Sequence, residues 1–310
     1  MPFNRIAVYG HRGWASSGIF AALVQSGAPI KVLHRPTSDV SSLPAGVAAV
    51  QVDVEDQTTL RNALQDVDIL ISLVGHEGVT RQHALVDAIP HTNVQLFVPS
   101  DLAFRCDENG LKVPVNKQKD AVEYAAREAG IPVTIILPGL FAESSLETML
   151  LGVDKYKNRV AFAGDAEHQR LNICTREYIG AAYAVIFAQT PVAQLQNRVI
   201  GLSELQPTGA EIVRALEQRN GGPPQIFRHS LDEVDRQMHA CLDAGRPLGL
   251  AWYGRRVWGS TGYGAVIGSD VWEVEGYKKK TLEDLLPAGG LEAYREQSGP
   301  LVEALERTFY

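Results

Sequence analysis

The sequence predicts an α/β fold: a doubly wound parallel sheet of the Rossmann type with a smaller C-terminal lobe. Three observations carry that expectation. Short apolar runs alternate with helical patterns through about residue 140, and repeated βα units of that length build parallel sheets. The first run, Ile6–Tyr9, enters a glycine turn, Gly10-His11-Arg12-Gly13-Trp14-Ala15-Ser16, followed by an apolar stretch over 19–24. With 310 residues, 45% of them hydrophobic, the chain can bury a substantial core and divide into two lobes.

The first unit has the chemistry of an anion cradle. Gly10 supplies the tight turn, Gly13 lets the backbone approach a pyrophosphate, and the free amides of a helix starting near Ser16 hold the phosphate charge. A plain strand–turn–helix is the alternative, but a turn placed where the first strand ends favours a nucleotide. Arg12, Trp14, Ala15 and Ser16 are expected to join Gly10 and Gly13 as cofactor contacts, with Ser16 standing where the pattern has a third glycine.

The second run, 29–35, ends in basic residues, with no acid before Asp39. A strand serving NAD usually ends in Asp or Glu, whereas Arg35 stands where a 2′-phosphate would lie, with Thr37 and Ser38 as further donors. A solvated surface arginine is the ordinary alternative. Given the first unit, the expected cofactor is NADP(H).

The units that follow are a strand over 47–54, which contributes Asp53 to the expected cofactor set, a polar helix over 58–64 and a buried strand over 67–75. A helix around 82–88, a strand over 94–100, a helix over 117–129 ended by Gly130 and a sixth strand over 131–139 complete the pattern. Ligands of such sheets bind beyond the carboxyl ends of the strands, here Gly10, Arg35, Val74-Gly75, Ser100 and Pro138-Gly139.

Beyond residue 140 the regularity fades. Residues 175–188 read as another helix, Val199-Ile200-Gly201 as a short strand, and 208–219 as a helix with a capping box between Thr208 and Glu211. The expected division is a dinucleotide-binding domain over 1–145, to which 172–200 returns, and a smaller substrate-binding lobe from 146–171 and 201–310. Residues 249–277 hold Trp252, Tyr253, Trp258, Tyr263, Trp272 and Tyr277 among many glycines. Either these aromatics wall an apolar substrate pocket on a mobile lid, or they fill the core of the small lobe.

Composition narrows the partners. With 29 basic and 36 acidic residues the formal charge is −7, which disfavours nucleic acid and anionic membranes. Cys106, Cys174 and Cys241 are odd in number and lack CxxC or CxxH spacing. That predicts reduced thiols in a cytoplasmic protein, with no disulfide framework and no metal site. No apolar run approaches the ~18–20 residues that span a bilayer, and the first strand begins too early to leave room for a signal peptide. The expected partner is a small-molecule substrate, and a homodimer is one assembly the chain allows.

Short-chain dehydrogenases pair a tyrosine with a lysine four residues later, on one helix face. No tyrosine here has that lysine: Glu128 follows Tyr124 at this spacing, and Val257 follows Tyr253. Lysines stand instead in Asn116-Lys117-Gln118-Lys119, at the expected opening of the helix after strand five. From there an amine would reach the sheet's carboxyl edge, to orient a ribose, protonate a developing alkoxide or relay a proton through water. By itself, a solvated first-turn lysine is the ordinary reading. His76, in a loop at the cofactor edge, is a spare acid–base and substrate candidate, though a loop histidine is more often structural. His168 reads as surface.

Val74-Gly75-His76, Gln82, Phe97-Val98-Pro99-Ser100-Asp101, Lys119, Gly130-Ile131-Pro132-Val133-Thr134 and Phe141-Ala142 occur in that order. Together they resemble the NmrA-like atypical short-chain dehydrogenases, especially the isoflavone reductase and phenylcoumaran benzylic ether reductase branch. The resemblance covers residues 3–145, with weaker echoes at 175–180 and 202–216. It implies NADPH binding with Arg35 at the 2′-phosphate, Lys119 as the active-site lysine, and Phe141 beside both nicotinamide and substrate. The chain departs from the family at His11-Arg12, where small residues are usual, and at Leu102-Ala103, where an aromatic–glycine pair is usual. The implied activity is hydride transfer from NADPH to a small aromatic or secondary-metabolite-like substrate. A non-catalytic NADP(H)-sensing regulator and a non-reductive isomerase or lyase are the alternatives. His76, Phe141, Trp252, Tyr253 and Trp258 are the expected substrate contacts.

Overall fold

The structure, a computed structural model, describes residues 3–263 and 265–310. Strands β1 (Ile6–Tyr9), β2 (Ile30–His34), β3 (Ala48–Gln51), β4 (Ile69–Ser72) and β5 (Leu96–Val98) form a parallel sheet in the order β3-β2-β1-β4-β5. A parallel bridge from Phe97 to Val133 joins it to β6 (Ile135–Leu137). The connections are helices α1 (Trp14–Gln25), α2 (Gln57–Leu64), α3 (Gln82–Ala88) and α4 (Pro114–Glu128). The chain order reverses between β1 and β4, which creates the switch-point crevice of a Rossmann sheet.

Successive residues of β1 face opposite sides of the sheet, which gives the two layers. Ile6 and Val8 face one core with Ile19, Phe20 and Leu23 of α1. Ala7 and Tyr9 face the other, with Leu60 of α2, Leu85 of α3 and Val122 of α4. Two helix starts differ from the sequence expectation. α1 begins at Trp14 rather than near Ser16, and α4 begins at Pro114 rather than Lys117. Proline at a first helical position has its φ already set and gives up only an amide that has no partner there.

After β6 come β7 (Leu140–Phe141), α5 (Ala142–Glu147), β8 (Val153–Asp154), β9 (Arg159–Ala163) and β10 (Ile173–Cys174). Then α6 (Arg176–Tyr183) packs on α1 and widens into a π-helical turn at Ala184–Gln189. β11 (Val199–Leu202) pairs with β6, and β13 (Val271–Trp272) pairs with β11, so the parallel sheet continues into a stretch expected to lie in the small lobe.

A third core gathers α7 (Gly209–Asn220), α8 (Leu231–Asp243) and α9 (Leu248–Ser260) over β8 and β9, with β12 (Gln225–His229) pairing along β9. α7 starts on the anticipated box, with Thr208 Oγ1 accepting from Glu211 N and Glu211 Oε2 accepting from Thr208 N. α10 (Leu282–Leu285) and α11 (Gly299–Arg307) complete the chain.

One carboxyl group couples these parts to pH. Glu143 of α5 is 2% exposed; its Oε1 accepts from Arg176 N at 2.9 Å, at the start of α6, while Oε2 is buried without a partner. Burial pushes its pKa up from 4.5 to about 7, against the opposing backbone hydrogen bonds. Between those two values the folded chain holds a proton that the unfolded chain has released. The stabilising contribution is therefore complete at low pH and is lost as pH rises through about 7. Urea unfolding of wild type and Glu143→Gln at about pH 5 and about pH 8 checks this: the stability difference should shift in favour of the variant at the higher pH.

Candidate active site

The crevice is organised by an unusually close backbone approach at the ends of β1 and β4. Gly10 has φ +95°, and a Cβ there would lie 2.9 Å from Leu73 C and Val74 N. Val74 is held from its other side, because its carbonyl accepts from Ser100 Oγ at 2.7 Å. Gln82, fully buried, accepts from Ser100 N through Oε1 at 2.8 Å and donates to Val79 O. The ends of β1, β4 and β5 are thereby locked together around the ligand edge.

Gly13 is the N-cap of α1 and makes no side-chain cap, so the first amides of the helix are left for a ligand. A Cβ on Gly13 would lie 2.9 Å from Ser16 Oγ. Ser16 thus fills the space that a third glycine would leave, and its hydroxyl donates to Gly13 O at 3.2 Å. His11 is buried against Phe20, with ring centroids 5.3 Å apart, and burial lowers its pKa.

Two cavities meet here. The first, about 570 Å³, runs from Gly10 and Gly13 past Arg35 and Ser38. Arg12, Arg81 and Arg295 add guanidinium groups to its wall. Arg81 and Arg295 were not anticipated, because a charge in a 3₁₀ turn or an irregular C-terminal segment carries no motif. Asp53 does not line this cavity; its carboxylate turns back to accept from Glu55 N.

The second cavity, about 790 Å³, shares Gly13, Leu73, Val74, Gly75, His76 and Arg295 with the first. Trp14, Ala15, Ser16, Ser100, Lys119 and Phe141, all expected as cofactor contacts, line this second cavity. Pro138 does not; its carbonyl accepts from the buried Asn172, and Gly139 takes its place in the wall.

The aromatic substrate residues need correcting. Residues 249–260 are helical rather than a glycine-rich lid, and Leu250, Ala251 and Gly254 present the cavity face. Helical geometry turns positions 252 and 253 about 100° and 200° away from 251. Trp252 lies against His229 and under the Arg255 guanidinium, 4.9 Å from ring centroid to Cζ. Tyr253 donates to Asp107 Oδ1 at 3.0 Å and stacks on Phe104. Trp258 donates to Gln169 O at 3.0 Å and meets Phe162 edge-on. All three belong to the small-lobe core, and Tyr263, Phe104 and Tyr294 supply the aromatic wall instead.

Lys119 stands in the second turn of α4, largely buried, with its Nζ 3.5 Å from Asp101 Oδ1. Lys117 is exposed and lines neither cavity. His76 stands on the rim shared by the cavities. Loss of hydration, then the cations Lys119 and Arg295, lowers its pKa to about 4, so its ring is neutral at pH 7. Burial pushes the Cys106 thiol up to about 11, which leaves it a protonated, apolar part of the wall.

Comparison with known proteins decides the family. Residues 2–237 match the model of the NmrA-like family. The chain belongs to the NmrA-like family. Among curated NmrA-like relatives, an isoflavone reductase homolog from Zea mays is 29% identical over 264 residues, covering 80% of this chain and 83% of the relative. An isoflavone reductase from Pisum sativum is 24% identical over 70% of this chain and 76% of its own length. Among solved structures, that of an isoflavone reductase superposes with a TM-score of 0.77 at 20% identity, covering 92% of this chain and 99% of the other. The binary complex of leucoanthocyanidin reductase with NADPH from Vitis vinifera gives 0.74 at 18% identity, with coverage of 92% and 99%.

Gly10→Ala tests the organising contact. The added methyl is strained by the positive φ and collides with backbone that cannot yield cheaply. A loss of at least roughly 1–3 kcal/mol is expected, which is the range for such backbone strain alone. Chemical denaturation of wild type and variant measures it.

Proposed function

We propose that the protein is an NADPH-dependent reductase that delivers hydride to a small, largely apolar aromatic substrate of the secondary-metabolite type. The observation that carries this reading is the continuity of two cavities: a cleft walled by arginines opens, at Val74–His76, into an apolar chamber containing one buried lysine. A protein that only sensed nucleotide would have no use for that chamber. We read the cytosol as its compartment, on the strength of its unpaired thiols.

The residues present fit the cofactor. Gly10 and Gly13 leave the backbone bare where a pyrophosphate must approach, and the unspent amides of α1 face it. Arg35 and Ser38 stand beyond β2 as donors for a 2′-phosphate, in a wall where four arginines outnumber the single acid, Glu77. When bound, the reduced nicotinamide supplies a hydride. Lys119 then donates a hydrogen bond, or a proton, to the substrate oxygen on which negative charge develops. Asp101 orients the ammonium without lining the chamber. The neutral imidazole of His76 is able to pass a proton between solvent and the site. Phe141, Leu102 and Leu250 exclude water and accommodate the apolar body of the substrate.

Two substitutions test separate halves of this reading. Charge-assisted hydrogen bonds contribute ~1.5–3 kcal/mol each, so Arg35→Ala should weaken NADPH binding on the order of 10–100-fold. NADH binding should barely change; equal losses would make Arg35 structural.

Lys119→Ala should lower kcat by ~10²–10⁴-fold while NADPH affinity stays near wild type. Lys117→Ala, on the exposed side of the same helix, should be close to silent. The check is turnover of aromatic enol ethers and carbonyl compounds, followed by nicotinamide absorbance beside an NADPH titration. Wild-type turnover by the Lys119 variant would remove that residue from the mechanism.

A further inference from the structure

The chain between α10 and α11 has no regular secondary structure over 292–298, yet it is fastened to the cofactor edge of the sheet. Leu291 is buried in the small-lobe core. The Glu292 carboxylate then pairs with Arg176, Ala293 O accepts from Trp14 Nε1 at 3.0 Å, and the Tyr294 ring meets Trp14 edge-on at 4.8 Å. Phe141 holds the same indole at 5.2 Å. Trp14 is the first residue of α1, whose amides form the phosphate cradle. The segment is therefore a strap laid across the mouth of that cradle, with Trp14 as its anchor.

What the strap delivers is Arg295. It lines both cavities where they meet, beside Gly13, Val74, Gly75 and His76. Its guanidinium lies 5.6 Å from the ring of Tyr294, and among the described residues it forms no salt bridge with a carboxylate. Its charge reaches the imidazole of His76. Arg12, Arg35 and Arg81 line the first cavity alone, whereas Arg295 lines both, so Arg295 marks the part of the cleft that opens into the chamber.

We propose that Arg295 is a nucleotide-binding residue that holds the pyrophosphate of NADP(H) from the side opposite the glycine loop, so that the C-terminal strap forms a wall of the cofactor site. The inference rests on the NADP(H) reading given above. A planar guanidinium offers a pyrophosphate paired hydrogen bonds, and a cation already placed there without a carboxylate partner has no ion pair to break when the phosphate arrives. The pyrophosphate is common to NADPH and NADH, so Arg295 strengthens binding of both, whereas Arg35 distinguishes them.

The experiment is a fluorescence titration of the full chain with NADPH and, separately, NADH, for wild type, Arg295→Ala, Arg295→Lys and Arg35→Ala. Arg295 is exposed and outside every core, so its variants fold. Arg295→Ala should weaken both nucleotides by the same factor, on the order of 10–100-fold, with Arg295→Lys between it and wild type. A loss confined to NADPH would show Arg295 reading the 2′-phosphate and overturn the proposal. Unchanged affinity for both nucleotides would remove it from the site. A wild-type chain that binds neither nucleotide would overturn the cofactor reading itself, and this inference with it.

Discussion

Everything at the ligand edge depends on one steric constraint: the turn after β1 touches the backbone after β4 at Gly10, with room for a hydrogen and not for a methyl. That contact draws the glycine loop and the Val74–His76 loop together at the point where the sheet reverses its winding. The Ser100 and Gln82 hydrogen bonds then carry the constraint outward to β5. Gln82 and Ser100 are buried, where an unmade hydrogen bond is costly, so the loops have one arrangement rather than several. The cleft, the lysine and the strap are all positioned relative to that fixed point.

The chemistry follows from what surrounds it. The cleft collects cations on a chain that is acidic overall, an arrangement that attracts a polyanion locally without making the whole surface sticky. Past the rim much of the lining is apolar, and the largely buried Lys119 stands in it with Asp101 behind. A cation in such a place acts at reduced dielectric on whatever oxygen comes near it. Burial, and then the cations Lys119 and Arg295, lowers the pKa of His76, so its ring adds no second charge beside them at pH 7.

The alternation of strands and helices was legible because each strand is short, apolar and followed by turn chemistry. The cap at Thr208 was legible because a capping box is a local, four-residue device. The position of Arg35 was legible for a related reason, since it follows from where a strand ends. The aromatic-rich stretch from Trp252 to Trp258 was not. A run of glycines and aromatics carries no clear period, and only its packing against β9 and α8 made it a helix that turns its largest rings away from the cavity. Leu250, Ala251 and Gly254, which do face the chamber, have nothing in their composition to mark them.

The sequence by itself determined the winding of the sheet, the glycine cradle, the basic end of β2 and the lysine of α4, because each follows from local periodicity or from residue type at a fixed offset. Only the tertiary structure decided which side chains meet across long stretches of chain. It brought Arg81 from a 3₁₀ turn and Arg295 from near the C-terminus to the same cleft as Gly13. It also laid Ala293 and Tyr294 against Trp14. Such contacts are set by how separate elements pack, and packing selects neighbours by shape and burial summed over the whole chain. No local stretch of residues encodes that sum.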